Sequence, residues 1–257
     1  MQHAQVCAIG VMAKVPRAGR SKTRLCPPLE PEQAASLSAA FLRDTTENLL
    51  AASQTAPIRG LIAYAPAGSV SSFDGTIADG TGFILADGSS GFAGDMPADV
   101  RGFGRCLLHA VQGMLSQGFG AACVLNSDSP TLPTPVLALA AHTLLATGDR
   151  VVLGRAEDGG YYFLGVKAPH ARLFADIAWS TDSVADATRA RACELGLDVV
   201  ELPVWYDVDD RVSLDRLLRE ISGIRSGGAM QLWPAQATAA ALRRIGLVTP
   251  EQLRAAE

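Results

Sequence analysis

The sequence lacks the cysteine and histidine patterns of a protein that is stabilised by structural metal ions or by disulfide bonds. Its 257 residues include five cysteines and four histidines, and no two cysteines form a C-x-x-C pair. Scattered cysteines of odd number indicate neither a structural zinc site nor a disulfide framework. The histidines show no metal-ligand spacing, and no serine or cysteine lies in a nucleophile elbow. The residues therefore give no support to a covalent mechanism.

An excess of positive charge is absent as well. The formal net charge is −4, and charged residues make up 19% of the chain. General binding to nucleic acid or to anionic membranes requires an extended cationic surface, so we expect neither partner. No apolar run is long enough to cross a bilayer, and the N-terminus lacks the basic start and cleavage site of a signal peptide. These absences predict a cytoplasmic enzyme.

The order of apolar segments predicts an α/β fold with a mostly parallel central sheet. Short strand-like runs alternate with longer helical patterns, and helices then cover the faces of the sheet. Helices are predicted over residues 31–53, in the segment 211–221, and after Thr134, with Thr134 as N-cap, Pro135 in the first turn and Gly148 at the far end. Strands are predicted over residues 5–13, 58–65, 82–86, 121–127, 150–154, 161–166 and 197–203.

The C-terminal part of the chain differs from the rest in being rich in alanine. We therefore divide the sequence into an α/β domain, residues 1–220, and a helical extension, residues 221–257. A helix in the extension is expected to pack either on the core of the same chain or on another subunit. In the second case the protein would be a homodimer.

A dense group of cations follows the first predicted strand, in the sequence AKVPRAGRSKTRL (13–25). The glycine-rich loop of ATPases does not match, because Ser21 precedes Lys22 where that motif needs glycine. The dinucleotide fingerprint fails too, because Leu107 stands where GFGRCL would need a third glycine. Two interpretations of these cations are open: a binding site for a di- or triphosphate, or a solvent-exposed run of charge. Their position at the carboxyl end of a strand, around a turn at Gly19, favours the phosphate site. The cations are Lys14, Arg17, Arg20, Lys22 and Arg24.

Aspartates follow two other predicted strands. Pro130 ends the strand before Asp128, so Asp128 is expected at the carboxyl edge of the sheet, either holding Mg²⁺ or forming an Asx-turn. In YDVDD (206–210), Asp207 and Asp209 alternate and would face the same side of an extended segment. With Asp128 they could complete a metal site. Asp210 is expected to cap the helix that follows.

Two further segments have open roles. Asp158, Gly159 and Gly160 are expected to form a tight turn between two strands, and the glycines would also let a ligand approach the backbone. Ser180 and Thr181, in WSTDSV, either offer hydroxyls to a ligand or cap the next helix.

Five segments, MAKVPRAGRSKTRLCPPL, NSDSPTLP, AEDGGYYFLGV, WSTDSV and YDVDD, occur in that order over roughly residues 6–220. Together they resemble a bacterial family of glycosyltransferase-A-like transferases often found beside radical-SAM and selenium-related genes. The pattern of that family runs P-x-x-G-x-x-K-T-R-L, S-D-x-P, D-G-G-Y, W-S-T and D-V-D. More distantly the chain is similar to 2-phospholactate guanylyltransferase and molybdenum-cofactor guanylyltransferase. The resemblance implies a three-layer, Rossmann-like nucleotide-diphospho-sugar transferase (glycosyltransferase-A) fold.

The resemblance also implies roles for individual residues. Asp128 would be the metal aspartate for Mg²⁺ or Mn²⁺, with Asp209 and also Asp207 as its partners. Lys22, Arg24 and Asp128 are the expected catalytic residues. The nucleotide phosphates would be lined by Lys14, Gly19, Lys22 and Arg24, with Arg20 beside them, and the acceptor would face Asp158, Gly159, Gly160, Ser180 and Thr181. One segment departs from the family: where a G-D-L-G-E-R-like sequence is usual, this chain has RGFGRCLL, which keeps Gly104 but has Cys106 in place of arginine.

The expected activity is a Mg²⁺-dependent nucleotidyl transfer. A small anionic acceptor would attack the α-phosphate of a nucleoside triphosphate and release pyrophosphate, whose charge the cationic loop would stabilise. The alternative is a glycosyltransferase that uses a nucleotide-sugar donor. A nucleotide-binding protein without catalysis is a third hypothesis, prompted by the altered RGFGRC segment.

Overall fold

The structure is a computed structural model that describes residues 3–89, 96–224 and 230–249. Within these ranges the chain forms seven strands and six α-helices, which confirms the predicted α/β class. The strands are β1 (Cys7–Lys14), β2 (Ile58–Ala65), β3 (Gly82–Leu85), β4 (Ala121–Leu125), β5 (Arg150–Ala156), β6 (Tyr161–Val166) and β7 (Asp198–Trp205). The helices are α1 (Pro31–Ala52), α2 (Phe103–Ser116), α3 (Thr134–Leu145), α4 (Val184–Glu194), α5 (Arg211–Ile221) and α6 (Gln236–Ile245).

All seven strands form one sheet, in the order β3-β2-β1-β4-β6-β5-β7. Strand β6 runs antiparallel to β4 and β5, and the remaining neighbours pair in parallel. The carboxyl ends of β1, β4 and β7 therefore lie at one edge of the sheet. The turn between β5 and β6 lies at the same edge. Open α/β sheets bind ligands at this edge.

Two apolar layers cover the sheet, one on each face. Alternate residues of β1 point to opposite sides: Cys7, Ile9 and Val11 belong to one buried cluster and Ala8 to the other. Helices α1, α3, α5 and α6 pack on the first face, and α2 and α4 pack on the second. The period of two along a strand thus produces the predicted three layers.

Most predicted boundaries agree with the structure to within two residues, and β2, β6 and α5 agree at both ends. The predicted cap of α3 is wrong, because Thr134 is the first helical residue and Pro133 is the N-cap. The Thr134 hydroxyl donates instead to Asn48 Oδ1, at 2.7 Å. Gly148 lies beyond the end of the helix, in the turn before β5. A tertiary hydrogen bond has therefore replaced the local cap that the sequence favoured.

Helix α6, in the predicted C-terminal extension, packs on α1 of the same chain. The carboxylate of Asp44 accepts the backbone N–H groups of Ala237 and Thr238, at 3.0 and 2.7 Å, and so caps α6 from another helix. Residues 225–229 and 250–257 of the extension lie outside the described ranges. None of the helices in the described ranges combines the length and apolarity needed to cross a membrane.

Candidate functional site

A cavity of about 630 Å³ opens at the edge where β1, β2 and β4 end. This volume is within the range of small-molecule sites. The lining of the cavity combines cations with small apolar side chains and one aromatic ring. The cations are Lys14, Arg20, Lys22 and Arg24; the uncharged lining residues include Ala63, Ala65, Ala86, Phe103 and Cys106.

A turn at Gly19 shapes the cationic loop. The N–H groups of Arg20 and Ser21 both donate to the carbonyl oxygen of Arg17, and Gly19 has a φ of +69°. Glycine adopts this left-handed conformation without the steric cost that a Cβ atom brings. The turn leaves Arg17 outside the lining of the cavity, whereas the other four cations of the loop line it.

Lys22 is the buried cation of the loop. Its ammonium lies 2.5 Å from Asp209 Oδ1 and 2.8 Å from Asp128 Oδ1, and it donates to the carbonyl oxygen of Val208 at 2.8 Å. Burial lowers the pKa of Lys22, but the two carboxylates outweigh it and hold that pKa above its ordinary value. The backbone of Lys22 has a φ of +50°. Such a left-handed residue costs roughly 1–2 kcal/mol, which the three contacts of the side chain offset.

The other three cations on the cavity wall have no such partners. Lys14, Arg20 and Arg24 are exposed along the cavity. Among the described residues, none of the three forms an ion pair with a carboxylate, whereas Lys22 forms two. An anion that enters the cavity can therefore bind these side chains without breaking an existing salt bridge.

Hydrogen bonds join the segment after β4 to the segment after β7. The N–H of Val208 donates to the carbonyl oxygen of Asp128 at 2.9 Å, and Ser129 Oγ donates to the carbonyl oxygen of Tyr206 at 2.8 Å. Ser127 Oγ donates to the Asp128 carboxylate. The structure thus brings Asp128 and Asp209 together, as their positions after two strands predict.

The two aspartates share a lysine in this structure. In the described part of the chain, no group of three or more His, Cys, Asp or Glu side chains is arranged to hold a metal ion. Mg²⁺ usually takes only one or two carboxylates and completes its shell with water and phosphate oxygens. Asp128 and Asp209 fit that requirement chemically, because both already contact one cationic group. A divalent ion held by both carboxylates would take the place of the Lys22 ammonium.

A second cavity of about 430 Å³ adjoins the first and shares Arg24 and Asp209 with it. Asp207, Asp209 and Asp210 all line it. Burial, followed by the charges of Asp209, Asp158 and Asp128, raises the pKa of Asp207 to about 7. The border of the two cavities is therefore a region of concentrated negative charge that a cation would relieve.

Helix α5 forms one wall of the second cavity. Asp210 caps the helix by accepting the Ser213 N–H, as predicted. Arg216 lies over the ring of Tyr206, 3.7 Å from the centroid, and is paired with Glu157 and Glu220. The sequence interpretation missed this arginine. The spacing of Val212, Arg216 and Arg219 on one face of the helix is the signal that could have found it; these three residues line the cavity together with Glu157, Asp158 and Asp210.

The predicted turn at residues 158–160 joins β5 and β6 as a hairpin. Gly159 has a φ of +88°, and a Cβ there would lie 2.0 Å from the carbonyl oxygen of Asp182. The turn therefore packs tightly on the loop that contains Ser180 and Thr181. Neither of these two residues caps α4, because Ser183 is its N-cap. Among the five residues predicted to face the acceptor, Asp158 alone lines one of the two cavities described here.

The altered RGFGRC segment contributes Phe103 and Cys106 to the wall of the first cavity. The sequence interpretation gave Phe103 no role. The ring of Phe103 meets that of Trp179 edge to face, with centroids 5.8 Å apart and an interplanar angle of 88°.

Comparison with protein families finds one match. The model of the family described as "Uncharacterized protein conserved in bacteria (DUF2064)" matches residues 48–181, which is half of the chain. No curated protein matches the sequence.

Among solved structures, a candidate nucleotide-diphospho-sugar transferase from Desulfovibrio desulfuricans G20 is similar to this chain, with 24% identity, a TM-score of 0.74 and 98% of both chains covered. This similarity establishes the nucleotide-diphospho-sugar transferase fold and confirms the prediction of the fold.

Two more distant structures are similar to the chain. One is the homologue of Mycobacterium tuberculosis Rv0371c from Mycobacterium sp. strain JC1, with 19% identity, a TM-score of 0.44, and 85% of this chain and 97% of that chain covered. The other is CMP:2-keto-3-deoxy-manno-octonic acid synthetase complexed with CTP, with 11% identity, a TM-score of 0.46, and 82% and 96% covered.

Proposed function

The chain belongs to the DUF2064 family of uncharacterised bacterial proteins, and we propose that it is a nucleotidyltransferase that uses a nucleoside triphosphate. One observation carries the proposal: three cations without carboxylate partners line a cavity beside a pair of aspartates. A triphosphate has the charge and the oxygen atoms that such side chains bind by charge-assisted hydrogen bonds.

The phosphates bind Lys14, Arg20 and Arg24 on the wall of the first cavity. Arg24 and Asp209 line both cavities, so the transferred group lies between them. The acceptor occupies the second cavity, where its anionic group faces Arg219. Among the described residues, Arg219 has no ion-pair partner, whereas its neighbour Arg216 has two.

The reaction forms a bond between an anionic oxygen of the acceptor and the α-phosphorus. The bond from that phosphorus to the bridging oxygen breaks, and its electron pair leaves with pyrophosphate. An anionic oxygen brings no proton that must be removed. Lys22 and Arg24 stabilise the charge that develops on the leaving group. Asp128 and Asp209, with Asp207 beside them, would hold the Mg²⁺ or Mn²⁺ ion, which when bound neutralises phosphate charge.

A glycosyltransferase is the second candidate. The carboxylates of Asp158 and Asp207 line the second cavity, and such carboxylates accept hydrogen bonds from sugar hydroxyls. In this reaction an anionic oxygen of the acceptor forms a bond to the anomeric carbon, the bond from that carbon to the diphosphate oxygen breaks, and a nucleoside diphosphate leaves on the same cations.

Isothermal titration calorimetry tests the proposal. The four nucleoside triphosphates and a set of nucleotide-sugars are titrated into the protein, each in the presence of Mg²⁺ or Mn²⁺. Arg24→Gln is expected to lower triphosphate affinity by about tenfold or more, because a hydrogen bond to a charged group contributes about 1.5–3 kcal/mol. Arg17→Gln is the matched control: Arg17 lies in the same loop but outside the cavity lining, so its loss should change affinity by less than about twofold.

Three outcomes separate the hypotheses. Binding of a triphosphate, with pyrophosphate released once an acceptor is supplied, supports nucleotidyl transfer. Binding of a nucleotide-sugar alone, with release of a nucleoside diphosphate, replaces it with glycosyl transfer. If neither ligand binds, or if Arg17→Gln and Arg24→Gln weaken binding equally, the proposed phosphate site is wrong.

A further inference from the structure

The apolar part of the lining of the first cavity has a feature that the phosphate site does not explain. Phe103 lies at the start of α2 and is 49% exposed, although it is a large aromatic residue. It lines the same cavity as the cationic loop, as do Ala65 and Ala86. Exposed aromatic side chains within a cavity often mark a binding surface.

Contacts within the protein fix the orientation of the Phe103 ring. Trp179 meets Phe103 edge to face, and such pairs prefer this perpendicular geometry. Gly104 allows the contact, because a Cβ at that position would lie 2.8 Å from both the Trp179 ring and the carbonyl oxygen of Phe174. Trp179 is itself packed in the second apolar cluster. The protein thus holds the ring in one orientation while about half of the side chain remains exposed.

We infer that Phe103 is the residue on which the base of the bound nucleotide stacks, an inference that rests on the proposed function. A nucleotide has an anionic part and a flat aromatic part, and the lining of this cavity combines cations with an exposed aromatic ring and small apolar side chains. The two match when the phosphates lie on Lys14, Arg20 and Arg24.

The side chains around Phe103 leave room for a flat ring. Ala63, Ala65 and Ala86 are small, and Cys106 is the next cavity residue along α2. Burial raises the pKa of the Cys106 thiol, against the opposing effect of Lys14, so Cys106 is neutral at physiological pH. The wall formed by these four side chains therefore has no charge that would oppose entry of a neutral base.

The test compares nucleoside triphosphates with inorganic tripolyphosphate, which has the same phosphate chain without the base. Both are titrated into the wild-type protein and into Phe103→Ala, Phe103→Leu and Phe103→Tyr. Leucine keeps apolar volume but has no ring, whereas tyrosine keeps the ring. Leu139→Ala is the matched control, because Leu139 is 50% exposed and lies outside both cavities. Circular dichroism and the unfolding temperature verify that each variant is folded.

We expect Phe103→Ala and Phe103→Leu to lose about tenfold or more in affinity for the triphosphates, the range for base stacking on an aromatic side chain. Their affinity for tripolyphosphate should change by less than about twofold, because the loop cations are intact. Phe103→Tyr and Leu139→Ala should bind both ligands as the wild type does.

The outcomes distinguish failure of this inference from failure of the proposed function. Equal affinity of the wild type for triphosphate and tripolyphosphate, or wild-type affinity in Phe103→Leu, overturns base stacking but leaves the phosphate site in place. A parallel loss for both ligands in Phe103→Leu also overturns it, because the effect would then be structural. A wild-type protein that binds neither ligand overturns the proposed function itself.

Discussion

Lys22 has a role that differs from those of the other loop cations. Its ammonium is nearly buried and contacts Asp128 and Asp209, the two residues proposed to hold a divalent ion. One space between two carboxylates accommodates one cation, since a second would be repelled at short range. Lys22 and the divalent ion are therefore expected to compete until nucleotide phosphates draw the lysine away.

Lys22→Met should consequently raise the affinity of the nucleotide-free protein for Mn²⁺ by about tenfold. The reason is that the variant lacks the positive charge that competes with the ion for the two partly buried carboxylates. Titration of Mn²⁺ followed by electron paramagnetic resonance measures the free ion directly. The same variant should bind triphosphates more weakly, because it has one cation fewer.

The control for this prediction is Lys14→Met. Lys14 lines the same cavity but has no carboxylate partner among the described residues. Its removal therefore makes the electrostatic potential of the cavity less positive without freeing a carboxylate from a salt bridge. Equal Mn²⁺ affinities in the two variants would contradict competition at Lys22. Undetectable Mn²⁺ binding in the wild type and in both variants would instead remove the aspartate pair as a metal site.

The sequence alone could predict which residues lie at this edge, but not how they pair. Asp128 and Asp209 were predictable because Pro130 ends one strand and a capped helix follows the other. The Lys22 salt bridges were not, because they depend on the order of strands within the sheet. The loop cations were predicted as a group facing phosphate, whereas the structure separates one neutralised lysine from three unpaired cations on the cavity wall and leaves Arg17 outside the cavity.

Helix α6 depends on a residue of α1 for its N-terminus. Its own N-cap position, Ala235, makes no side-chain hydrogen bond, and the Asp44 carboxylate accepts the N–H groups there instead. Burial is the main cause that raises the pKa of Asp44 from 3.8 to about 6. The stability that this group contributes is therefore greatest below pH 3.8 and is lost as the pH rises through about 6, because the folded state then has to hold a buried charge.

Asp44→Ala is expected to destabilise the protein by about 1 kcal/mol near pH 7.5, the usual effect of losing a helix cap. At pH 5 the destabilisation should be larger by roughly 1–2 kcal/mol. At that pH Asp44 of the folded wild type is mostly protonated, so the wild type no longer holds a buried charge and is more stable than at pH 7.5. Urea unfolding of both proteins at the two pH values measures the difference.

Asp215→Ala, which removes an exposed partner of Arg211 on α5, is the control and should change stability by less than about 0.5 kcal/mol at either pH. A difference between wild type and Asp44→Ala that stays constant from pH 5 to 7.5 would contradict a raised pKa for Asp44.

Local signals in the sequence predicted most ends of the predicted elements but not every helix cap. Strands β2 and β6 and helix α5 have clear flanking signals, such as Asp210 before the helix and Gly160 before β6, and these could be predicted to the residue. The N-terminus of α3 could not, because the Thr134 hydroxyl donates to Asn48, which is 86 residues away. A local rule for helix capping does not account for a partner on another helix.

At the scale of the whole molecule, the predicted division at residue 221 can be tested against the packing. Ala235, Ala241, Leu242 and Val248 belong to the same buried cluster as residues of α1 and α3. A chain that ends at Ile224 loses these side chains and exposes the face of α1 that they cover.

This truncation should lower the free energy of unfolding by about 3 kcal/mol or more, since burial of one leucine alone contributes roughly 1.5–3 kcal/mol. Calorimetry should show an unfolding temperature lower by about 6–12 °C, at 2–4 °C per kcal/mol for a chain of this size. An unchanged transition, or a second separate transition in the full chain, would support an independent extension.

The contacts of Lys22 also have a consequence for how the protein folds. The salt bridge to Asp209 joins residues 187 positions apart, and the one to Asp128 joins the loop after β1 to the segment after β4. Contacts of such long separation require closure of large loops, which slows folding. During synthesis, the cationic loop emerges long before Asp209 does. A nascent chain therefore has an unneutralised Lys22 until Asp128 and Asp209 are in place, so formation of these two salt bridges is expected to mark completed folding.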